Sequence, residues 1–505
     1  MHCILRQLHQ TFRIVLRKPI YFDNNATTQL DPVVSKFTSA IQQKSYGNPS
    51  SLHLFGIKAR EIVEKARHHV ATILNAEPDE IIFTGSGTEA NNTIIKSVAA
   101  THPGGHFITS AIEHPSALKV FQSLEKQAYT VTYLGIDSAG RIQIEELKKG
   151  IRPETALISI MHVNNEIGTI QPIEEIGTIA HSHNIPFHSD IVQSFSKIPL
   201  NVQSLPVDFL SISAHKIYGP KGIGAIYKRK GTTLAPLLEG GHQEHLLRAG
   251  TEALINIAGF GEASRLMNLM DSANYLARLA RIKKILIDGM KEIFSNMKIN
   301  GDIAFALPTT LNVTLPGIPN SEILAYLDFY KIAVSVGSAC VAGSDDLSHV
   351  LIALGLTSDE IKSSFRLSFG KFNSEAEAWS FLKILKKFSR ERKEFFAYIL
   401  PGDLLPEDCE QSKKIVVDIR DEDQRNKYPI FSTALRFDRT MKELKTLPKD
   451  KEVVLLCEDG YLSNLYTTRL RNAGWKNVKS LMGGYKSWRQ YHRDYYYYNI
   501  VKGTH

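Results

Sequence analysis

The sequence predicts an α/β protein with a large, mainly parallel-sheet unit, a smaller α/β layer behind it and a separate small α/β unit at the C-terminal end. Three observations carry this. Between Tyr21 and about residue 260, short β-branched runs alternate with amphipathic segments. From about 261 the pattern changes to long charged helices around a few strands. The stretch ILPGDLLPEDCEQS (399–412), with two prolines, a glycine and four acids, has the composition of an exposed linker.

The chain opens with MHCILRQLHQTFRIVLRK, which has four basic residues, no acid and apolar residues at roughly helical spacing. Residues 1–20 therefore read as a basic extension, with an organelle transit peptide as the alternative. Over 21–260 the runs IIFT (81–84), ALISIM (156–161) and DFLSIS (208–213) are expected as strands, and 57–74 and 173–183 as helices. Over 261–398 the pattern predicts helices at 262–297 and 374–398, with strands near 311–315, 332–335 and 364–368. After the linker, the unit at 413–491 starts with the parallel strands IVVDIR and EVVLLC. Helices near 439–447 and 462–473 follow, GGYKSW opens another, and a Tyr-rich tail fills 492–505.

At 505 residues, 43% hydrophobic and 22% charged, the chain has room for about two to four domains and the balance of a protein that stays in water. No apolar run approaches the length of about eighteen residues that a membrane-spanning helix needs. The net charge of +8 belongs to the C-terminal end: residues 413–505 hold 19 Lys and Arg against 11 Asp and Glu, while 1–412 balance at 41 against 41. Such an excess is either a solvated surface or an attractor for an acidic partner or RNA. Cys3, Cys340, Cys409 and Cys457 make no disulfide framework and no metal-ligand spacing, so no metal is expected and a reducing, cytoplasm-like compartment is.

The chemistry centres on DFLSISAHKIYGPKGIG, which places Lys216 just after a buried-looking strand, behind Ser213 and His215. Strand ends of open α/β sheets bind ligands, and a lysine there can form a Schiff base with an aldehyde cofactor. A lysine in a glycine-rich loop is ordinarily surface decoration, so its neighbours decide. In FHSDIVQSF, Asp190 ends another strand and Gln193 follows; a pyridinium nitrogen needs such a carboxylate, and a ring phenolic oxygen such an amide. IIFTGSGTEANN supplies a phosphate cradle in Gly85, Ser86, Gly87 and Thr88 at a helix start. In IEHPSA, His114 follows a strand and is placed to lie on a cofactor ring, or else is an ordinary loop histidine. Small residues surround Cys340 in VSVGSACVAGSDDLSHVL, as a thiol on a swinging loop requires.

Together these motifs resemble the cysteine desulfurases, pyridoxal-phosphate enzymes of fold type I in the class V aminotransferase family that serve iron-sulfur cluster assembly. The likeness also rests on YFDNNATT, YGNPSSLH, MHVNNEIGTIQPI, RAGT and GSAC, and spans about 21–395. The resemblance implies that Lys216 holds pyridoxal 5'-phosphate, Asp190 pairs with its ring nitrogen, Gln193 and Asn165 support the phenolic oxygen, and His114 stacks on the ring. It implies a phosphate held by Gly87, Thr88, Ser213 and His215, with Thr251 entering from the other subunit of a homodimer. Arg366 and Asn165 would bind the carboxylate of L-cysteine, and Cys340 would attack its sulfur, releasing L-alanine and keeping a persulfide for an acceptor protein, a scaffold or a tRNA-thiolation factor. Cys340 would at most touch an iron-sulfur cluster in passing. Selenocysteine lyase is the neighbouring alternative; a plain aminotransferase has no use for Cys340. Asn25 and His245 depart from the family pattern and are expected to stay clear of the cofactor chemistry.

Residues from about 415 to 491 resemble a single rhodanese domain, through IVVDIRDEDQ, CEDGYLS, YTTRLRNAG and WKNVKSLMGGYKSW. In such domains a cysteine opens a loop of inward backbone amides that steadies a thiolate or persulfide. This loop has Leu462 where the resemblance leads one to expect arginine, and Glu458 and Asp459 beside Cys457 should raise the thiol's pKa and repel anionic donors such as thiosulfate. Three readings of Cys457 stand: a relay for sulfur from Cys340, a degenerate module that docks an acidic partner or RNA, and a structural thiol.

Overall fold

The computed structural model describes residues 18–337, 347–395, 398–399, 401–405, 414–427, 435–436, 444, 446–458 and 460–492. Cys3, Cys340, Cys409, Asp459, most of the basic extension, most of the expected linker, most of the expected helix at 439–447 and the tail from 493 lie outside them.

After the short strand β1 (Ile20–Tyr21), the large unit lays down β2 (Ile81–Thr84), β3 (His106–Ser110), β4 (Thr130–Leu134), β5 (Thr155–Ser159), β6 (Phe187–Asp190), β7 (Phe209–Ser213) and β8 (Gly224–Lys228). They form one sheet in the order β2-β8-β7-β6-β5-β3-β4, parallel except for β8, which runs against both its neighbours. Consecutive residues along these strands feed different cores. Phe107, Leu157 and Phe209 join the helices Gly87–Thr101 and Pro115–Glu125, whereas Ile108, Ile158 and Leu210 join Leu54–Leu74, Ile173–Ser182 and Leu254–Asn268. That is the two-faced burial of a sheet whose central strands are buried at every position, because successive side chains point to opposite faces.

The smaller unit carries β9 (Lys298–Ile299), β10 (Thr310–Thr314), β11 (Ile332–Ala333) and β12 (Ser364–Ser368). β10 pairs antiparallel with β12 and β9, and β11 pairs with β1. The helices Ser272–Ile293, Asn320–Phe329 and Glu375–Phe395 accompany them. The single helix expected over 262–297 is two, Leu254–Asn268 and Ser272–Ile293, because Asp271 accepts the Asn274 amide and starts a new helix.

The C-terminal unit is a five-stranded parallel sheet in the order β13 (Tyr398–Ile399), β17 (Val478–Leu481), β16 (Val453–Leu456), β14 (Ile415–Asp418), β15 (Leu435–Arg436). It reaches back into the stretch expected to be linker: Ile399 pairs in the sheet, and Leu404 is buried with its carbonyl held by Trp488. The helix Tyr461–Asn472 packs on Asn320–Phe329 of the smaller unit. No helix among the described residues is long and apolar enough to cross a membrane.

Candidate active site

The strands β2, β6 and β7 end on the same side of the sheet, where the parallel arrangement leaves a crevice. A cavity of about 200 Å³ occupies it. Of the residues expected there, Gly87, Thr88, His114, Asn165, Asp190, Gln193, Ser213, His215, Lys216 and Arg366 all line it. Thr251 does not; it is exposed on the surface of this copy.

Each wall follows from local sequence. After β2, the Ser86 side chain accepts the Glu89 amide and starts the helix Gly87–Thr101. The first-turn amides have no partner within their own helix, and those of Gly87 and Thr88 are at the cavity. A methyl on Gly87 would stand 3.0 Å from Val192 Cγ2 and 3.5 Å from Ser213 Cβ, so the cradle is as close as a glycine allows. Asp190 closes β6, taking the Val192 amide on Oδ1 at 2.9 Å and the Asn91 side-chain amide on Oδ2 at 2.8 Å. Lys216 lies just past β7, and its Nζ donates to the carbonyls of Asn25 and Ala26.

Burial, then Lys216, Lys221 and His114, bring the His215 imidazole down to about 4, so it stands neutral against Thr27 Oγ1 at 3.1 Å. Burial also lowers His114, with Lys216 and His349 acting the same way and Asp190 opposing. Beneath His114, Glu113 accepts Ser110 Oγ at 2.6 Å and the Met161 amide at 2.9 Å; burial pushes its carboxyl up to about 8.

Pyridoxal phosphate fits this set. A buried carboxylate, an amine, a glycine-tight anion cradle and a neutral imidazole are the chemistry it requires, and the buried Gln193 Oε1 and Arg366 Nε have no partner among the described protein groups. Arg366 is held from two sides, Nη2 on Asp23 Oδ1 at 2.7 Å and Nη1 on the Asn165 carbonyl at 3.0 Å. Two residues flanking the segment that bears Cys340 root beside this wall: Ser348 donates to Glu166 Oε2 at 2.6 Å, and a Cβ on Gly337 would lie 3.7 Å from the same oxygen.

Sequence reasoning missed Asn91, Ser116 and Asp23, none of which carries a signal beyond its place inside a motif. It also misjudged Asn25, which lines the cavity and whose carbonyl receives both Lys216 Nζ and Gln193 Nε2. His245 stays clear of the cavity, in a left-handed run from Glu244 to Leu246 (φ 48°, 57° and 69°) pinned by the Arg67–Glu244 pair at 2.7 Å.

Cys457 sits apart, at the end of β16, buried beside Leu455 and Trp475. Its Sγ receives the Ser463 amide at 3.4 Å from the first turn of Tyr461–Asn472. Glu458 does not face a bare thiol: its Oε2 lies 3.8 Å from the Arg420 guanidinium, itself paired with Asp418 at 2.7 Å and stacked 3.9 Å from the Tyr485 ring centroid. The electrostatic objection to a thiolate is correspondingly weaker than the sequence suggested.

Comparison with known proteins gives two matches along the chain: Aminotransferase class-V over residues 20–381 and Rhodanese-like domain over 403–491. The chain is 40% identical to the cysteine desulfurase IscS of Dictyoglomus turgidum over 76% of its own length and 98% of that relative. It is 43% identical to a cysteine desulfurase of a Nostoc species over 71% and 90%. Among solved structures, a NifS-like protein superposes with a TM-score of 0.69 at 37% identity, covering 74% of this chain and 99% of the other. SspA in complex with cysteine superposes at 0.63 and 39%, over 69% and 98%.

Proposed function

Since this chain belongs to the aminotransferase class-V family, we infer that it is a pyridoxal-phosphate-dependent cysteine desulfurase, converting L-cysteine to L-alanine and taking the sulfur as a persulfide on Cys340. The observation that carries this reading is the convergence of Lys216, Asp190, His114 and Arg366 on one cavity. When bound, the cofactor supplies an aldehyde for covalent attachment and a ring that takes up electrons from the substrate carbon.

The residues do the rest. Lys216 Nζ is the amine placed to carry the cofactor and to move the substrate's α-proton, and the carbonyls of Asn25 and Ala26 hold it when unattached. Asp190 would keep a ring nitrogen protonated, and the Gly87–Thr88 turn with Ser213 and His215 would hold the phosphate. Arg366, with Nε unpartnered and its other nitrogens fixed, presents a preset donor to the substrate carboxylate. The Cys340 thiolate then bonds to the substrate sulfur as the carbon–sulfur bond breaks, and alanine leaves without it.

A homodimer completes the site in this reading. Thr251 is exposed away from its own cavity, and Tyr46, Leu52, Leu54 and Phe55 form an exposed apolar patch, with the Tyr46 and Phe55 rings stacked at 5.2 Å. From Cys340 the sulfur passes to an acceptor protein, and Cys457 is the internal candidate to receive it first. The observation favouring the other reading, a structural thiol, is its burial among apolar side chains. Tryptic mass spectrometry after incubation with ³⁴S-cysteine decides: label on Cys340 with alanine released supports the enzyme, and label on Cys457 supports the relay. Alanine release without label on Cys457 removes the relay, and a wild-type protein that releases no alanine overturns the function.

A further inference from the structure

His114 is the N-cap of the helix Pro115–Glu125, and its Nδ1 accepts the backbone N–H of Ser116 at 3.1 Å. A backbone amide can only donate. Nδ1 therefore carries a lone pair, and a neutral ring has its proton on Nε2. The positive end of the helix dipole opposes a second proton at the same place.

A hydrogen-bond chain runs from this nitrogen to the floor of the cavity. Ser116 Oγ lies 2.7 Å from His114 Nδ1, Asn91 Nδ2 lies 2.8 Å from Ser116 Oγ, and the same Nδ2 lies 2.8 Å from Asp190 Oδ2. An ionised carboxylate accepts only, so the Asn91 amide nitrogen must face it. One amide hydrogen goes to Asp190 and the other to Ser116, which leaves the serine hydroxyl to turn its own hydrogen toward His114. The polarity of the chain is set at the Asp190 end, and Asn91 and Ser116 are buried, which shields it from water.

We propose that Asn91 and Ser116 are positioning residues that hold His114 as a neutral imidazole protonated on Nε2 at the wall of the cavity. This rests on the reading of that cavity as the cofactor and substrate site. His114 is thereby an N–H donor and proton carrier at a stated atom, while Asp190 keeps its charge for the ring nitrogen. The titratable groups around the imidazole are Asp190 from β6, Lys216 and His215 beyond β7, His349 from the helix His349–Ala353, and its own neighbour Glu113.

The test reverses the chain. In Asn91→Asp the new carboxyl takes the place of an amide nitrogen 2.8 Å from Asp190 Oδ2, so the two carboxyls share a proton. The new group accepts from Ser116, whose oxygen then accepts from His114, which draws a proton onto Nδ1 and favours the Nδ1–H tautomer and the imidazolium over the Nε2–H form. Histidine C2 hydrogen–deuterium exchange, followed by mass spectrometry on the full-length protein with and without cofactor, reads the half-titration point of each histidine. The His114 point is expected to rise by about one pH unit or more in Asn91→Asp. A smaller rise is expected in Ser116→Ala, returning toward wild type in Ser116→Thr, with the buried His162 and His188 unmoved. An unchanged His114 point in both Asn91→Asp and Ser116→Ala, or a shift shared by His162 and His188, overturns the proposal. Alanine release by the wild type is scored separately, so failure of the enzyme reading is distinguishable from failure of this one.

Discussion

At Arg366 the fold has divided one guanidinium between structure and recognition. Asp23 and the Asn165 carbonyl take two nitrogens, and Nε remains. Arg366→Lys keeps the charge and loses the planar fork, so steady-state kinetics should show KM for cysteine raised roughly ten- to hundredfold, about 1.5–3 kcal/mol, with kcat less affected. Glu113 gives a pH signature. Its folded-state pKa of about 8 lies above the ordinary carboxyl value, so its contribution to stability is full below about 4.5 and is lost as pH rises through about 8. Melting temperature should therefore fall between pH 6 and 9 more in the wild type than in Glu113→Gln, whose amide oxygen can still accept from Ser110 and Met161. The placement of Lys216, Asp190 and Gln193 at the cavity was legible because Asp190 ends a recognisable strand and the other two follow strands within three residues. Asp23 was not, since its partner lies 343 positions away, and neither was Asn91, 99 positions from Asp190.

Elements were legible where their signal is local. The strands IIFT, TALIS and FLSIS of the large sheet announce themselves because burial on both faces makes them short, mostly apolar runs. The break at Asp271 was hidden because apolar periodicity continues on either side of it; only the cap geometry separates Leu254–Asn268 from Ser272–Ile293. Asp271→Ala should lower stability by about 1 kcal/mol in a denaturant titration, with the slope unchanged. At the start of Gly87–Thr101, the proximity of Val192 and Ser213 predicts a different outcome. Gly87→Ala should weaken pyridoxal phosphate binding, read from the bound cofactor's visible absorbance, while the protein stays folded, because the added methyl would press on Val192 and Ser213, both of which line the cavity, by only a few tenths of an ångström.

Across the whole molecule, the C-terminal unit is seated on the smaller one. Arg469 pairs with Asp328 of the smaller unit at 2.9 Å, while within the C-terminal unit Asn464 donates to Tyr398 Oη at 3.0 Å and holds that ring in place. Tyr398 and Leu465 pack against the core of the smaller unit. Burial raises the Tyr398 phenol, and Glu322, buried and paired with Arg392, adds to it from beside the ring. The sequence placed an exposed linker where this contact begins, since proline and acid content reports solvent preference and is silent about which face a neighbour will cover. Combining Tyr398→Phe with Arg469→Ala should loosen the seat, so limited proteolysis should cut faster within 401–405 while alanine release persists. The helix that presents Leu465 is also the one whose first turn meets Cys457, so release of the C-terminal unit and exposure of that thiol are expected together.

Leu465 has one more consequence, in the order of synthesis. The ribosome delivers Asn320–Phe329 long before it delivers Leu465, so the nascent chain carries a wet apolar patch until its last unit folds. Folding of the C-terminal unit is therefore expected to cover apolar surface that the smaller unit leaves open until then, whatever becomes of the sulfur.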